Sequence, residues 1–242
     1  MYAIKTDKLT KKYGDVTAVD GLDLCIGEGE LFALLGVNGA GKTTAIKMLS
    51  CLTVPTSGTA TVGGYGITDQ AQSVKGIIAV SPQESAIGQN LSARENLEFI
   101  CGIYGFSRED SKRRIDEVSA RLSLDTVLDK KAGKLSGGWQ RRLSIAMALI
   151  SEPSVLFLDE PTLGLDVMAR SELWDVIRGL KGKTTVILTT HYMEEAESLS
   201  DRIGIMKDGR LLIVGTAREI MDSASAEKFE DAFISVIKEA SK

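Results

Sequence analysis

The stretch Gly36 to Thr44, GVNGAGKTT, has the spacing GxxxxGK[ST]. Glycines at these positions let the backbone bend so that successive N–H groups point inward and form a concave anion site. A helix beginning near Lys42 adds the positive end of its dipole. Gly36, Val37, Asn38, Gly39, Ala40, Gly41, Lys42, Thr43 and Thr44 therefore read as one phosphate cradle. Lys42 reaches the β- and γ-phosphates and the Thr43 hydroxyl is available to Mg²⁺. A second stretch, Val155-Leu156-Phe157-Leu158-Asp159-Glu160, carries two carboxylates at the end of an apolar run. Asp159 suits the Mg²⁺ shell, directly or through water. Glu160, one residue on, is free to orient and deprotonate a water that attacks the γ-phosphate. The pair of stretches points to binding and hydrolysis of a nucleoside triphosphate. The chain has one histidine, His191, in ILTTHYMEEAE. Its residue type alone leaves open whether it does chemistry or only packs.

These groups need a scaffold that brings them to one edge. ELFALLG is an apolar run that stops at Gly36, as a buried parallel strand does, and Lys42 to Leu52 has helical spacing. SVLFLDEP and TTVILTTH read as two more buried strands, with VMARSELWDVIRGL as a helix between them. DRIGIMKDGRLLIVG reads as a hairpin turning at Asp208-Gly209. VTAVDGLDLCI alternates Leu22, Leu24 and Ile26 with polar residues, which predicts one half-exposed antiparallel strand. GTATVGGYG predicts a short strand and turn. From about Asn90 to Ile150, ARENLEFICGIYG and REDSKRRIDEVSARLSL have helical periodicity and charged faces. The expected fold is a single α/β domain over 1–242 with a mixed or parallel sheet, an N-terminal antiparallel β element and an inserted α-helical subdomain. The core spans 1–89 and 151–220, the helical insertion about 90–150, and a C-terminal helix about 226–240. That last helix puts Phe229, Ala232, Phe233, Val236 and Ile237 on one face, to pack on its own domain or against a partner.

Bulk properties narrow the classes further. Net charge is −4 with the signs mixed, so no basic field marks a nucleic-acid binder. Cys25, Cys51 and Cys101 form no CxxC pair and suit a reducing compartment. The N-terminus lacks the apolar core of a signal peptide, and no apolar run is long enough to cross a bilayer. Work at a membrane would then go through a partner.

Leu135-Ser136-Gly137-Gly138-Trp139-Gln140-Arg141-Arg142 precedes the second buried strand. Ser136 is placed to cap the helix that follows, and Gly137 and Gly138 expose backbone N–H groups, which makes a second anion site at a helix N-terminus. One cradle has no use for a second phosphate site within one chain, whereas a head-to-tail dimer does.

LSGGWQRR is similar to the signature sequence of the nucleotide-binding subunits of ATP-binding cassette (ABC) transporters. The resemblance covers nearly the whole chain, and P-loop NTPase is the fold it implies. Tyr13 resembles the aromatic that stacks on adenine. Gln83, in VSPQES, resembles the glutamine that touches Mg²⁺ and water and senses the permease. Leu163-Gly164-Leu165-Asp166 resembles the loop that crosses the dimer interface. His191 resembles the switch histidine that contacts the γ-phosphate, which moves it to the functional reading. The resemblance implies ATP and Mg²⁺ as cofactors and catalytic roles for Glu160, His191, Lys42 and Gln83. It implies nucleotide contacts from Tyr13, residues 36–44, Ser136, Gly137, Gly138 and Asp166, and metal contacts from Thr43, Gln83 and Asp159. It also implies a membrane permease and a second cassette subunit as partners, no nucleic acid, and a place on the cytoplasmic face of the cell membrane through the permease. Two positions depart from the family: the fifth signature residue, commonly Gln, is Trp139, and the dimer loop reads LGLD where many members have SALD. The region THYMEEAESLSDRIGIMKDGRLLIVGT and the element Phe229-Glu230-Asp231-Ala232-Phe233 resemble the export-type branch that pairs with small multispan permeases. The competing expectation is a cassette ATPase that acts as a sensor or mechanical regulator without transport.

Overall fold

A computed structural model describes residues 1–240. The strands are β1 (Tyr2–Tyr13), β2 (Val16–Leu22), β3 (Cys25–Gly27), β4 (Leu31–Gly36), β5 (Ser57–Val62), β6 (Tyr65–Gly66), β7 (Ile78–Ser81), β8 (Val155–Asp159), β9 (Thr185–Thr190), β10 (Arg202–Lys207) and β11 (Arg210–Gly215). The helices are α1 (Lys42–Leu49), α2 (Ala71–Ile77), α3 (Ala93–Ile103), α4 (Arg108–Leu122), α5 (Gly137–Leu149), α6 (Val167–Arg178), α7 (Met193–Leu199), α8 (Ala217–Ser223) and α9 (Phe229–Glu239).

The central sheet has the order β11-β10-β4-β9-β8-β7, parallel from β10 through β7, with β11 antiparallel at one edge. Successive side chains of a strand point to opposite faces, and here both faces are covered. Leu31, Ala33 and Leu35 of β4 enter one core cluster, together with Leu156, Leu158 and the helices α3 to α6. Phe32 and Leu34 enter the other, with Val155, Phe157 and Ile187, against α1 and the N-terminal sheet. This two-sided burial is why ELFALLG and SVLFLDE read as unbroken apolar runs.

The N-terminal sheet has the order β2-β1-β5-β6, with β3 also on β1. The stretch VTAVDGLDLCI forms two strands where its alternation predicts one. The break follows Leu22, where the Leu24 carbonyl turns to accept the Thr6 amide and the Leu24 amide donates to the Thr6 hydroxyl. Strand β1, the longest, has no clean alternation in its sequence because bulges shift its register against β2, β3 and β5.

Helices α3, α4 and α5 pack on one another beside the sheet. Ser92 and Glu95 form a reciprocal capping box at the start of α3, and Ser107 caps α4. The hairpin of β10 and β11 turns at Asp208-Gly209, as its sequence predicts. Helix α9 lays Phe229, Ala232 and Phe233 into the first core cluster, with Val236 and Ile237 partly buried against it. Of its two possible partners, the apolar face meets its own domain. No helix among the described residues is long and apolar enough to cross a membrane.

Phe229 is 2% exposed, so truncation there leaves a cavity under α9. Phe229→Ala should cost about 3–5 kcal/mol of folding stability, read from the urea midpoint of the purified chain. A midpoint equal to the parent's would show that α9 contributes no core packing.

Candidate functional site

Parallel strands with covered faces bring their C-terminal ends to one edge, and ligands of open α/β sheets bind there. Four strand ends do so here. Gly36 ends β4, Asp159 ends β8, Thr190 ends β9 and Ser81 ends β7. In register, Asp159 lies beside Thr189 and Leu35 beside Thr190. Residues far apart in sequence, Lys42, Gln83, Glu160 and His191, thereby line one cleft of about 660 Å³ together with Asn38, Gly39, Ala40, Gly41, Thr43 and Thr44.

The cradle turns into α1 at Gly41, whose φ of 99° is left-handed and whose Cβ would lie 2.3 Å from the Ala18 carbonyl. Any side chain there meets both a strained backbone and a fixed neighbour. Lys42 is buried, its ammonium donating to the Gly36 carbonyl at 2.7 Å and the Val37 carbonyl at 3.2 Å. Glu160 lies between Lys42 and His191: Oε1 is 3.4 Å from Lys42 Nζ, and Oε2 is 2.7 Å from His191 Nδ1. The carboxylate is thus held from both oxygens at the cleft wall.

Behind it, Asp159 Oδ1 accepts from the Thr43 hydroxyl at 3.0 Å and from the Thr189 hydroxyl at 2.6 Å. One carboxylate and one hydroxyl, both hard oxygen donors, suit Mg²⁺, which keeps waters and takes substrate phosphates as its other ligands. No cluster of three or more acidic, His or Cys side chains forms an all-protein metal site among the described residues. The Thr43 hydroxyl and Asp159 carboxylate beside the cradle fit a metal shared with a phosphate.

Other sequence candidates stand apart from the cleft. Tyr13 is half-exposed at the end of β1, with the Lys11 ammonium 5.0 Å from its ring, and its strand partner Val16 lines the cleft. Gly36 and Val37 lie at the cradle's base, where their carbonyls hold Lys42. Ser136, Gly137 and Gly138 open α5 and do not line the cleft. Ser136 occupies the cap position, but its side chain makes no cap bond. The first-turn amides of α5 therefore have no side-chain acceptor from it, contrary to the capping expectation. Gly138 packs so closely on α6 that a Cβ would lie 3.0 Å from Ala169 Cβ, which puts the signature beside the loop through Asp166. Asp166 caps α6, accepting from the Ala169 amide at 2.9 Å. Trp139, at the departing signature position, lies under the Arg142 guanidinium at 4.8 Å, and Arg142 pairs with Glu172 at 2.6 Å.

Val16, Thr17, Ala18, Leu163 and Asp208 also line the cleft. Leu163 belongs to the loop already marked by its sequence; Val16, Thr17, Ala18 and Asp208 are revealed only by the folding of β2 and the β10–β11 hairpin over the cradle. The sequence likewise hides Glu195, which is fully buried behind the site. Trp174 Nε1 donates to it at 3.2 Å. Burial pushes the Glu195 carboxyl up and the Glu160 charge adds to this, while the nearby hydroxyls of Thr190 and Thr162 and the Trp174 N–H pull it down.

Residues 19–163 match the ABC transporter family. The chain is 42% identical over 229 residues to the daunorubicin resistance ATP-binding protein DrrA3 of Streptomyces coeruleorubidus, covering 94% of this chain and 72% of that one. It is 38% identical over 238 residues to the linearmycin resistance ATP-binding protein LnrL of Bacillus subtilis (strain 168), covering 98% and 76%. Among solved structures it is similar to an ATP-binding subunit of an ABC transporter, with a TM-score of 0.85, 26% identity and coverage of 97% and 99%. It is also similar to a dimeric ATP-binding cassette in a post-hydrolysis state bound to ADP and Pi, with a TM-score of 0.77, 27% identity and coverage of 88% and 98%.

A carboxyl whose pKa is raised on folding holds its proton more tightly in the folded chain. Stability then falls as pH rises from the unfolded value, near 4.5, to the folded one, and is level above it. Glu195→Gln removes that fall. Urea unfolding at a series of pH values from about 4.5 to 8 should show a shallower loss of stability in Glu195→Gln than in the parent. Parallel curves for the two proteins would contradict the raised carboxyl.

Proposed function

The chain belongs to the ABC transporter family and is an ATP-binding, ATP-hydrolysing subunit of such a transporter, and from that premise we propose how its residues divide the work. The observation that carries the reading is the Glu160 carboxylate, fixed between Lys42 and His191 beside the phosphate cradle. The cradle amides of residues 36–44 and Lys42 bind the β- and γ-phosphates. The ammonium now leaning on Glu160 turns to phosphate oxygens, which leaves the carboxylate to its base role. Thr43, Gln83 and Asp159 would hold Mg²⁺. There it would supply positive charge to offset that of the phosphates. Glu160 orients the attacking water and takes its proton. His191 keeps the carboxylate aimed and faces the γ-phosphate. Tyr13 stacks on the adenine ring beyond Val16.

ATP-binding subunits of this family work in transporter complexes and dimerise. In our reading two cassettes meet head to tail, so that Ser136, Gly137 and Gly138 of one chain close on the nucleotide of the other. Bare amides at the start of α5 support this, since they offer an unspent anion site. Asp166, at the cap of α6 beside them, lies on the same interface. The segment after Gln83 faces the permease. The chain sits on the cytoplasmic face of the cell membrane through that permease. The drug-resistance names of two relatives speak for export, with cargo chosen by the permease.

A mild-detergent pull-down of the tagged chain from host membranes should recover a stoichiometric multispan membrane protein. Recovery only from the soluble fraction would overturn the transport reading in favour of a cassette ATPase that regulates without transport. Glu160→Gln in the captured complex should bind ATP, trap a closed dimer and lose hydrolysis by about 100-fold or more. Hydrolysis at the parent rate would assign the base elsewhere.

A further inference from the structure

Arg141 lies one turn into α5 and is 5% exposed. No carboxylate is paired with it among its hydrogen-bond partners. Its guanidinium instead donates to four backbone carbonyls from two distant segments. Nε reaches the Pro161 carbonyl at 2.7 Å and Nη1 the Pro82 carbonyl at 2.5 Å. Nη2 reaches the carbonyls of Asp159 at 3.2 Å and Glu160 at 2.6 Å. A planar fork of donors is what such a spread of acceptors requires, and a lysine ammonium cannot span it. Burial lowers the Arg141 pKa from its ordinary value, while the charges of Asp159, Glu195 and Glu160 act to keep the proton.

The targets of this fork are the peptide links of the site. Pro82 precedes Gln83, and Asp159 and Glu160 are the metal and water-activating carboxylates of the proposed mechanism. Glu160 has φ +48°, a left-handed conformation that a non-glycine residue keeps only when its surroundings dictate it. On one side the Glu160 amide donates to Thr189 Oγ1 at 3.0 Å and the Thr189 carbonyl at 3.2 Å. On the other, Arg141 holds its carbonyl. The same helix begins with Ser136 to Gly138, four residues or fewer before Arg141 in the case of Gly137 and Gly138.

We propose that Arg141 is a positioning residue that sets the backbone of Glu160 and of the Gln83 loop, so that the signature helix, the water-activating carboxylate and the permease-facing loop move as one unit. The inference rests on the reading of Glu160 as the group that activates water. Contact of the signature with a partner's nucleotide would then register directly in this chain's own hydrolytic geometry.

The test measures kcat and KM for ATP in the complex captured on the tagged chain, for Arg141→Ala, Arg141→Lys and Glu160→Gln beside the parent. A displaced Glu160 should lower kcat by about 100-fold in Arg141→Ala with KM little changed, because the phosphate cradle does not touch Arg141. Added guanidinium should restore part of the lost kcat to Arg141→Ala and none to Glu160→Gln. Arg141→Lys keeps the buried charge but not the fork, so it should fold and still lose most of kcat. If Arg141→Ala fails to fold, Arg141→Lys carries the decision. Parent kcat in either folded variant overturns the proposal, as does a loss of kcat in Arg141→Ala that guanidinium leaves untouched. Parent activity in Glu160→Gln overturns the reading of Glu160 itself, whatever the arginine variants do.

Discussion

The site depends on one peptide held from both sides. Glu160 follows the last residue of β8 with its backbone in the left-handed region, a conformation that costs of order 1–3 kcal/mol for a side chain of this kind. Thr189 from β9 takes its amide and Arg141 from α5 takes its carbonyl. The turn sends the Glu160 side chain toward Lys42 and His191. An ordinary extended continuation would alternate it to the opposite face from Asp159 and away from that pair. Sheet register, the signature helix and the cradle thus meet in the geometry of one residue.

The sheet supplies the precision that the loops around it lack. Because β4, β9, β8 and β7 are successive parallel neighbours, each ends one residue of register from the next. The Thr189 hydroxyl bridges the Asp159 carboxylate and the Glu160 amide across the β8–β9 pair. That bridge is buried, where an unmet polar group would cost more than the bond itself contributes. The cost of misplacement is what keeps both carboxylates fixed.

Around this centre the chain buries polar groups that serve the site more than the core. Arg141 and Glu195 are both buried next to β8 and β9, one as a donor to backbone carbonyls and one as a carboxyl driven toward its neutral form. The amides opening α5, by contrast, have no side-chain cap. Capping is local and cheap to build, as Ser92, Ser107 and Thr216 demonstrate elsewhere in this chain.

The sequence alone determines the chemistry and the layers. A glycine-rich cradle with Lys42 and Thr43, two carboxylates closing an apolar run, and the LSGGWQRR stretch each owe their meaning to residue type and local spacing. Apolar runs at ELFALLG, SVLFLDE and TTVILTT announce buried parallel strands because a strand covered on both faces has no polar side to show. The split of VTAVDGLDLCI, the bulged β1 and short β7 are not legible, since bulges and brief edge strands leave no period to read. Whether α9 meets its own domain was likewise undecided by amphipathicity, which states that a face is buried and not against what. Only the tertiary structure decided the rest. Strand order placed His191 against Glu160 across 31 residues of chain, brought Val16, Thr17 and Asp208 over the cradle, and set Arg141 on carbonyls 18 to 59 residues distant. Backbone carbonyls have no letter in a sequence, so a side chain that works by holding them can be recognised only once the fold has put them in its reach.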